Sequence, residues 1–92
     1  MSGKFITVEG IEGAGKTTCM DTIKELLAKN SIQFITTREP GGTPLAEKIR
    51  ALLLNVEEDT PVPLTELLLM FASRAQHINK VIRPALSDGL WV

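Results

Sequence analysis

The sequence predicts an α/β domain built on a parallel sheet with helices against it, and three consecutive stretches carry that expectation. Lys4-Phe5-Ile6-Thr7-Val8 is a short apolar, partly β-branched run of the kind that fills a buried parallel strand. Gly10-Ile11-Glu12-Gly13-Ala14-Gly15-Lys16-Thr17 follows it and fits G-x-x-x-x-G-K-[ST] at every fixed position. Thr17 to Lys29 then reads as a helix, with Met20, Ile23, Leu26 and Leu27 on one face and Asp21, Lys24 and Glu25 between them. Strand, glycine loop and helix stand in the order that binding a nucleoside triphosphate requires.

The chemistry of the loop follows from its residues. Gly10, Gly13 and Gly15 let the backbone turn its N–H groups onto phosphate oxygens with no Cβ in the way. The start of the helix adds unsatisfied N–H groups and the positive end of its dipole. Lys16 would reach the β and γ phosphates as a point charge, and the Thr17 hydroxyl would ligate magnesium. The alternative is an ordinary glycine-rich turn with a solvated lysine. Glu12 would repel phosphate unless aimed elsewhere, either to solvent or to a sugar hydroxyl of a second substrate, and both remain open.

Asn30-Ser31 closes this helix, and Ile32 to Thr37 reads as a second strand, completing a βαβ unit. Arg38-Glu39-Pro40-Gly41-Gly42 breaks the strand; Thr43 can then cap, and Pro44 open, a helix carrying Leu45, Ile49, Leu52 and Leu53. The acidic, proline-bearing stretch from Asn55 to Pro63 reads as a surface loop. A longer helical pattern runs from Leu64 through Leu67, Leu68, Phe71, Ala75, Ile78 and Ile82, and Pro84 should kink or interrupt it. Leu90-Trp91-Val92 looks like the opening of a third strand. No apolar strand here ends in the aspartate that often serves magnesium in phosphate-loop enzymes. Residues 1–92 therefore read as the N-terminal part of a single domain, truncated in its third strand; a naturally short chain ending in an edge strand is the alternative.

Composition narrows the function classes. A formal charge of −1 over 92 residues offers no basic surface for nucleic acid or an anionic membrane. A chain of this length buries only about 60–65% of its unfolded surface, so the core should be thin. The one cysteine, Cys19, excludes an internal disulfide and a CxxC metal site and points to a reducing cytoplasm. Its place just after Lys16 suggests a small residue packed beneath the loop. No apolar run approaches a membrane span, and the N-terminus has no signal-peptide core, so a soluble, cytoplasmic protein is expected.

Four charged positions have both a functional and a plain reading. Arg38 and Glu39 fall at the expected carboxyl end of the second strand, where open α/β sheets bind ligands, and Gly41-Gly42 permits close backbone approach; a solvated salt pair is the alternative. Arg74 follows Phe71 by three residues and can hold a base by stacking and hydrogen bonding, although position alone favours a solvated flank. Arg50, beside Lys48 and Glu47, has a surface charge as its default. His77 has no partner at metal-ligand spacing and reads as a surface or capping histidine.

With these motifs assembled, the chain resembles the bacterial thymidylate kinases. The resemblance rests on Gly10 to Thr18, Thr37-Arg38-Glu39-Pro40-Gly41-Gly42-Thr43, Glu47-Lys48-Ile49-Arg50, Phe71-Ala72-Ser73-Arg74-Ala75-Gln76-His77 and Val81-Ile82-Arg83-Pro84-Ala85-Leu86. It covers essentially all 92 residues but about the first half of a family member, and the Thr-Arg-Glu-Pro-Gly-Gly segment is its most specific part. It implies a P-loop nucleoside-monophosphate kinase fold, a parallel sheet flanked by helices, usually in a homodimer, which moves the γ-phosphoryl group of MgATP to dTMP to give dTDP.

In that reading Gly10, Ile11, Glu12, Gly13, Ala14, Gly15, Lys16, Thr17 and Thr18 hold the ATP phosphates. Lys16, Arg38 and Glu12 are the catalytic set; Thr17 serves magnesium, with Glu39 as a further candidate ligand. The resemblance turns Glu12 toward the deoxyribose hydroxyl and lines the dTMP site with Arg38, Glu39, Pro40 and Arg50. It gives Arg74 the thymine ring. Many members have a phenylalanine four residues before that arginine; here Met70 has that position and Phe71 stands three before, so either can cover the base. The family's Asp-Arg segment, lid and adenine-binding residues would lie beyond residue 92. Two other readings stand beside this one. A GTPase would need Asn-Lys-x-Asp, whereas Asn79-Lys80 is followed by Val81-Ile82. A fragment acting alone would be inactive and at most bind nucleotide phosphate.

Overall fold

A computed structural model describes residues 3–10, 13, 15–55 and 59–92. They group into two compact units, one of Met1–Thr36 with Ala85–Val92 and the other of Thr37–Pro84. Part of the predicted acidic loop, residues 56–58, lies outside the described residues.

In the first unit helix α1 spans Lys16–Lys29, starting one residue earlier than the sequence predicts. Its N-cap is Gly15 at φ 84°. Its end is closed by Asn30-Ser31 as expected: the Ser31 N–H donates to Ala28 O at 3.1 Å and the Ile32 N–H to Leu27 O at 2.9 Å. This paired closure requires a left-handed residue after the cap, and Ser31 takes it at φ 57°. The apolar face is only half covered. Met20, Ile23 and Leu27 are intermediate, Leu26 is exposed, and Cys19 is exposed rather than packed beneath the loop.

The expected sheet is met only by isolated pairing. Among the described residues none of the three predicted segments forms a strand; one isolated parallel bridge joins Phe34 and Trp91. Hydrogen bonds nevertheless run in the sense of a parallel ladder. The Trp91 N–H donates to Gln33 O at 3.0 Å, and the Trp91 carbonyl accepts from the Ile35 N–H at 2.9 Å. On the other side the Val92 N–H donates to Lys4 O at 2.9 Å and its carbonyl accepts from Ile6 N–H at 2.8 Å. The segment at Trp91 and Val92 thus lies between the other two, but offers each only one paired residue, too few for the consecutive bridges of a strand. Phe5 and Ile6, expected to be buried, are exposed.

In the second unit helix α2 spans Pro44–Leu54, with Thr43 as its N-cap. The Thr43 hydroxyl accepts from the Ala46 N–H at 3.0 Å, and Pro44 takes the first helical position, where its missing N–H costs nothing. Such a cap contributes about 1 kcal/mol. Helix α3, Pro63–His77, packs on α2. Ala46 on α2 and Ser73 on α3 have no exposed surface, and both are small, as close helix approach needs. Burial is thin, as expected: among the described residues the buried apolar side chains are Ala46, Ile49 and Ile82 in this unit and Ala85 in the first. Leu64, Leu67, Leu68 and Phe71 of α3 remain exposed.

After α3 the chain widens into a π-helical turn, Ile78–Ile82, and resumes as α4, Arg83–Ser87. Pro84 is the physical cause. It has no N–H for Lys80 O, and its ring would crowd that carbonyl in a regular helix. Among the described residues no helix is long and apolar enough to cross a membrane.

Candidate functional site

The glycine loop lies in the first unit. Gly13 and Gly15 both have φ 84°, and no atom of the described residues beyond their chain neighbours stands within 4 Å of where a Cβ would project from either. Glycine is needed here for its dihedral, and the space beside it is open. The first helical bond of α1 is from Cys19 N–H to Gly15 O at 3.0 Å, which leaves the N–H groups of Lys16, Thr17 and Thr18 without helical partners. The three side chains are exposed at this turn. The N–H groups of a helix start, a lysine charge and two threonine hydroxyls beside a glycine turn fit a phosphate chain and a magnesium ion. Ile11, Glu12 and Ala14 of the predicted loop lie outside the described residues.

The second cluster lies within the other unit and is held by ion pairs between the Arg38–Gly42 segment, α2 and α3. Arg38 and Glu39 do not pair with each other. The Arg38 guanidinium donates to Glu47 Oε2 at 3.1 Å, and the Gly42 N–H to Glu47 Oε1 at 3.2 Å. Arg50 reaches the Pro40 carbonyl at 3.2 Å. Glu39 is engaged at both oxygens: Oε1 accepts from Arg74 Nε at 2.7 Å, and Oε2 lies 3.0 Å from His77 Nδ1. Magnesium at Glu39 would have to share or displace those bonds.

Glu39, Pro40, Leu67, Met70, Phe71 and Arg74 line one open hollow of about 220 Å³. Pro40, Leu67, Met70 and Phe71 give it apolar lining, and the Arg74–Glu39 pair supplies hydrogen-bonding groups. A flat, partly polar ring suits such a place. Met70 and Phe71 both line it, so the departure in phenylalanine position leaves two side chains available to one ring.

The carboxylates respond to these contacts. Burial pushes the Glu39 carboxyl up, but hydrogen bonds from His77 and Arg74 and their charges outweigh it and hold the group below its ordinary value. The Gly42 N–H first, then the Arg38 guanidinium, lower that of Glu47.

The family profile described as Thymidylate kinase matches residues 8–92. The chain belongs to the thymidylate kinase family. It is 56% identical to the thymidylate kinase of Alkalilimnicola ehrlichii over 90 residues, 98% of this chain and 42% of that protein. It is 54% identical to that of Teredinibacter turnerae over 92 residues, 100% of this chain and 45% of the relative. The crystal structure of thymidylate kinase from Ehrlichia chaffeensis matches it with a TM-score of 0.81 at 40% identity, covering 100% of this chain and 53% of that one. The chain thus spans under half the length of these curated relatives.

Membership of the thymidylate kinase family accords with the absence of a guanine-reading motif. Asn79, of the one Asn-Lys pair, spends its side-chain N–H on Ala75 O at 2.8 Å inside the helix.

His77 is the residue that sequence reasoning missed. Expected at the surface, it is 1% exposed, with Nδ1 at Glu39 and Nε2 2.6 Å from Thr37 Oγ1. Its carboxylate partner is distant in sequence, and no spacing rule links them. The one available signal was Gly42. A Cβ there, at φ 97°, would run into the His77 ring and crowd Thr37 Oγ1. Gly42→Ala is accordingly expected to destabilise the protein by about 2 kcal/mol or more, through both the clash and the left-handed backbone. Thermal melts of the two proteins check this, and an unchanged melting temperature would refute it.

Proposed function

We propose that this chain serves a thymidylate kinase that transfers the γ-phosphoryl group of ATP to dTMP, giving dTDP for deoxythymidine nucleotide biosynthesis. The observation that carries the reading is the hollow where the Arg74–Glu39 pair meets Met70 and Phe71, in a chain of this family. The open glycine turn of α1 supports ATP as donor. The family supports a P-loop nucleoside-monophosphate kinase domain with a parallel sheet flanked by helices, of which residues 1–92 are the N-terminal part. A homodimer in the cytoplasm completes the proposal, with neither nucleic acid nor membrane as a partner.

In the reaction a phosphate oxygen of dTMP attacks the γ-phosphorus in line, and the bond to the β-phosphate oxygen breaks to release ADP. Little covalent chemistry falls to the protein, so catalysis is positioning and charge neutralisation. The loop N–H groups and Lys16 hold the donor phosphates and stabilise the transferring group. Magnesium, when bound at Thr17, supplies further neutralisation. Arg38 and Arg50 bring positive charge to the acceptor phosphate, and Arg38 would exchange Glu47 for it. Glu12 holds the sugar hydroxyl, and Arg74 selects the base with Met70 or Phe71 against its face.

The test is dTDP formation from dTMP and MgATP by the protein as expressed from its gene, with AMP and dGMP as competing acceptors. Turnover of dTMP at least about a hundredfold above the purine nucleotides is expected, since a site built on base hydrogen bonds rejects the wrong edge strongly. Equal turnover of all three would overturn the thymidylate reading. The coverage of 42–45% of the relatives favours a second reading for the 92 residues by themselves, namely phosphate binding with little transfer.

A further inference from the structure

We infer that His77 is a positioning residue for recognition of the nucleoside monophosphate: it locks the Glu39 carboxylate, which in turn orients the Arg74 guanidinium at the hollow. The inference rests on the function proposed above. His77 itself does not line the hollow and is 1% exposed, so it acts through Glu39.

Hydrogen-bonding capacity fixes the arrangement of the ring. A buried imidazole is costly unless both nitrogens are satisfied, and here both are. The Glu39 carboxylate can only accept, so Nδ1 carries a proton and donates to Oε2. Nε2 faces the Thr37 hydroxyl at 2.6 Å, a group that can donate to it or accept from it. Gly42 closes one side of this slot so tightly that a Cβ would overlap ring atoms. On the Gly42 side the imidazole has no room to move.

Glu39 transmits that rigidity because its two oxygens are rigidly linked. With Oε2 held at His77, Oε1 is fixed where it accepts from Arg74 Nε at 2.7 Å. Rotation of the carboxylate would break both bonds together. The Arg74 side chain is 57% exposed, so burial by itself does not set the rotamer of this long side chain. Anchoring at Nε sets the plane of its guanidinium, which is what a planar base edge would meet.

Two amide substitutions separate the nitrogens. In His77→Asn the amide N–H stands near the Nδ1 position and keeps the bond to Glu39. In His77→Gln the longer side chain reaches the Nε2 position and keeps Thr37 instead. The KM for dTMP should rise roughly tenfold in His77→Gln, the scale of one lost hydrogen bond to a charged group, and stay within about threefold of wild type in His77→Asn. The KM for ATP should not move in either. Independently of substrate, the Arg74 Nε–H resonance, identified by its loss in Arg74→Lys, should shift in His77→Gln and remain in His77→Asn. Glu39→Gln, at a position water reaches, should reproduce the KM rise even if His77→Gln folds poorly. Equal KM values in the two histidine variants, an unmoved Arg74 resonance in His77→Gln, or a wild-type KM in Glu39→Gln would overturn the inference. A wild-type protein that does not bind dTMP would instead overturn the proposed function, and the resonance would still decide whether His77 sets Arg74.

Discussion

Lys16→Ala is expected to lower phosphoryl transfer by about three orders of magnitude, with little change in folding. Lys16 is exposed at the first turn of α1, beside a glycine turn with open space, so truncating it removes no packing. In the proposed mechanism it removes the charge that the first turn would bring to the donor phosphates. Charge on the transferring group spreads over its oxygens in the transition state, and a fixed cation there stabilises that state more than the bound substrate. The loss should therefore fall on kcat more than on the KM for ATP. Steady-state kinetics with dTMP and MgATP check the split, with circular dichroism to confirm folding. Near-full activity would remove Lys16 from the mechanism.

Arg74→Ala is expected to raise the KM for dTMP by about a hundredfold while leaving that for ATP within a few-fold. Arg74 is tied to Glu39 at 2.7 Å and lines the same hollow as Met70 and Phe71, in a unit separate from the glycine loop. In the proposed mechanism its removal takes away a donor at the base, and it also leaves Glu39 hydrogen-bonded to His77 without the guanidinium. Arg74→Lys should restore little, since an ammonium cannot present the planar fork that engages Glu39 and a base edge together. Titration calorimetry with each nucleotide checks the prediction. Equal losses for the two substrates would mean that Arg74 supports the fold at large rather than the acceptor.

Legibility varied with how local each feature is. The Thr43 cap, the Pro44 start and the Asn30-Ser31 closure of α1 were all readable, because each depends on the backbone of neighbouring residues. The interruption near Pro84 was readable for the same reason, though not its form as a π turn. The strands failed at the next level. Composition showed which segments could pair, but a strand needs consecutive partners on another segment, and Trp91 and Val92 supply one on each side. Helix α1 has a periodic apolar face whose cover the period could not supply, and it remains half exposed.

The site divides in the same way. The sequence by itself determined the glycine loop, its lysine and threonine, the Arg-Glu-Pro-Gly-Gly segment and the arginine of α3, because these are chemistries carried by residue type and short spacing. Only the tertiary structure decided how the charges pair. Position left Arg38 beside Glu39, yet folding gives Arg38 to Glu47 and Glu39 to Arg74 and His77. Glu47 lies on α2, whereas Arg74 and His77 lie on α3, 35 and 38 positions from Glu39 in the chain yet within hydrogen-bond reach of it. Hydrogen bonds act over about 3 Å, so their partners are set by where the chain returns in space, which residue type and local spacing do not encode.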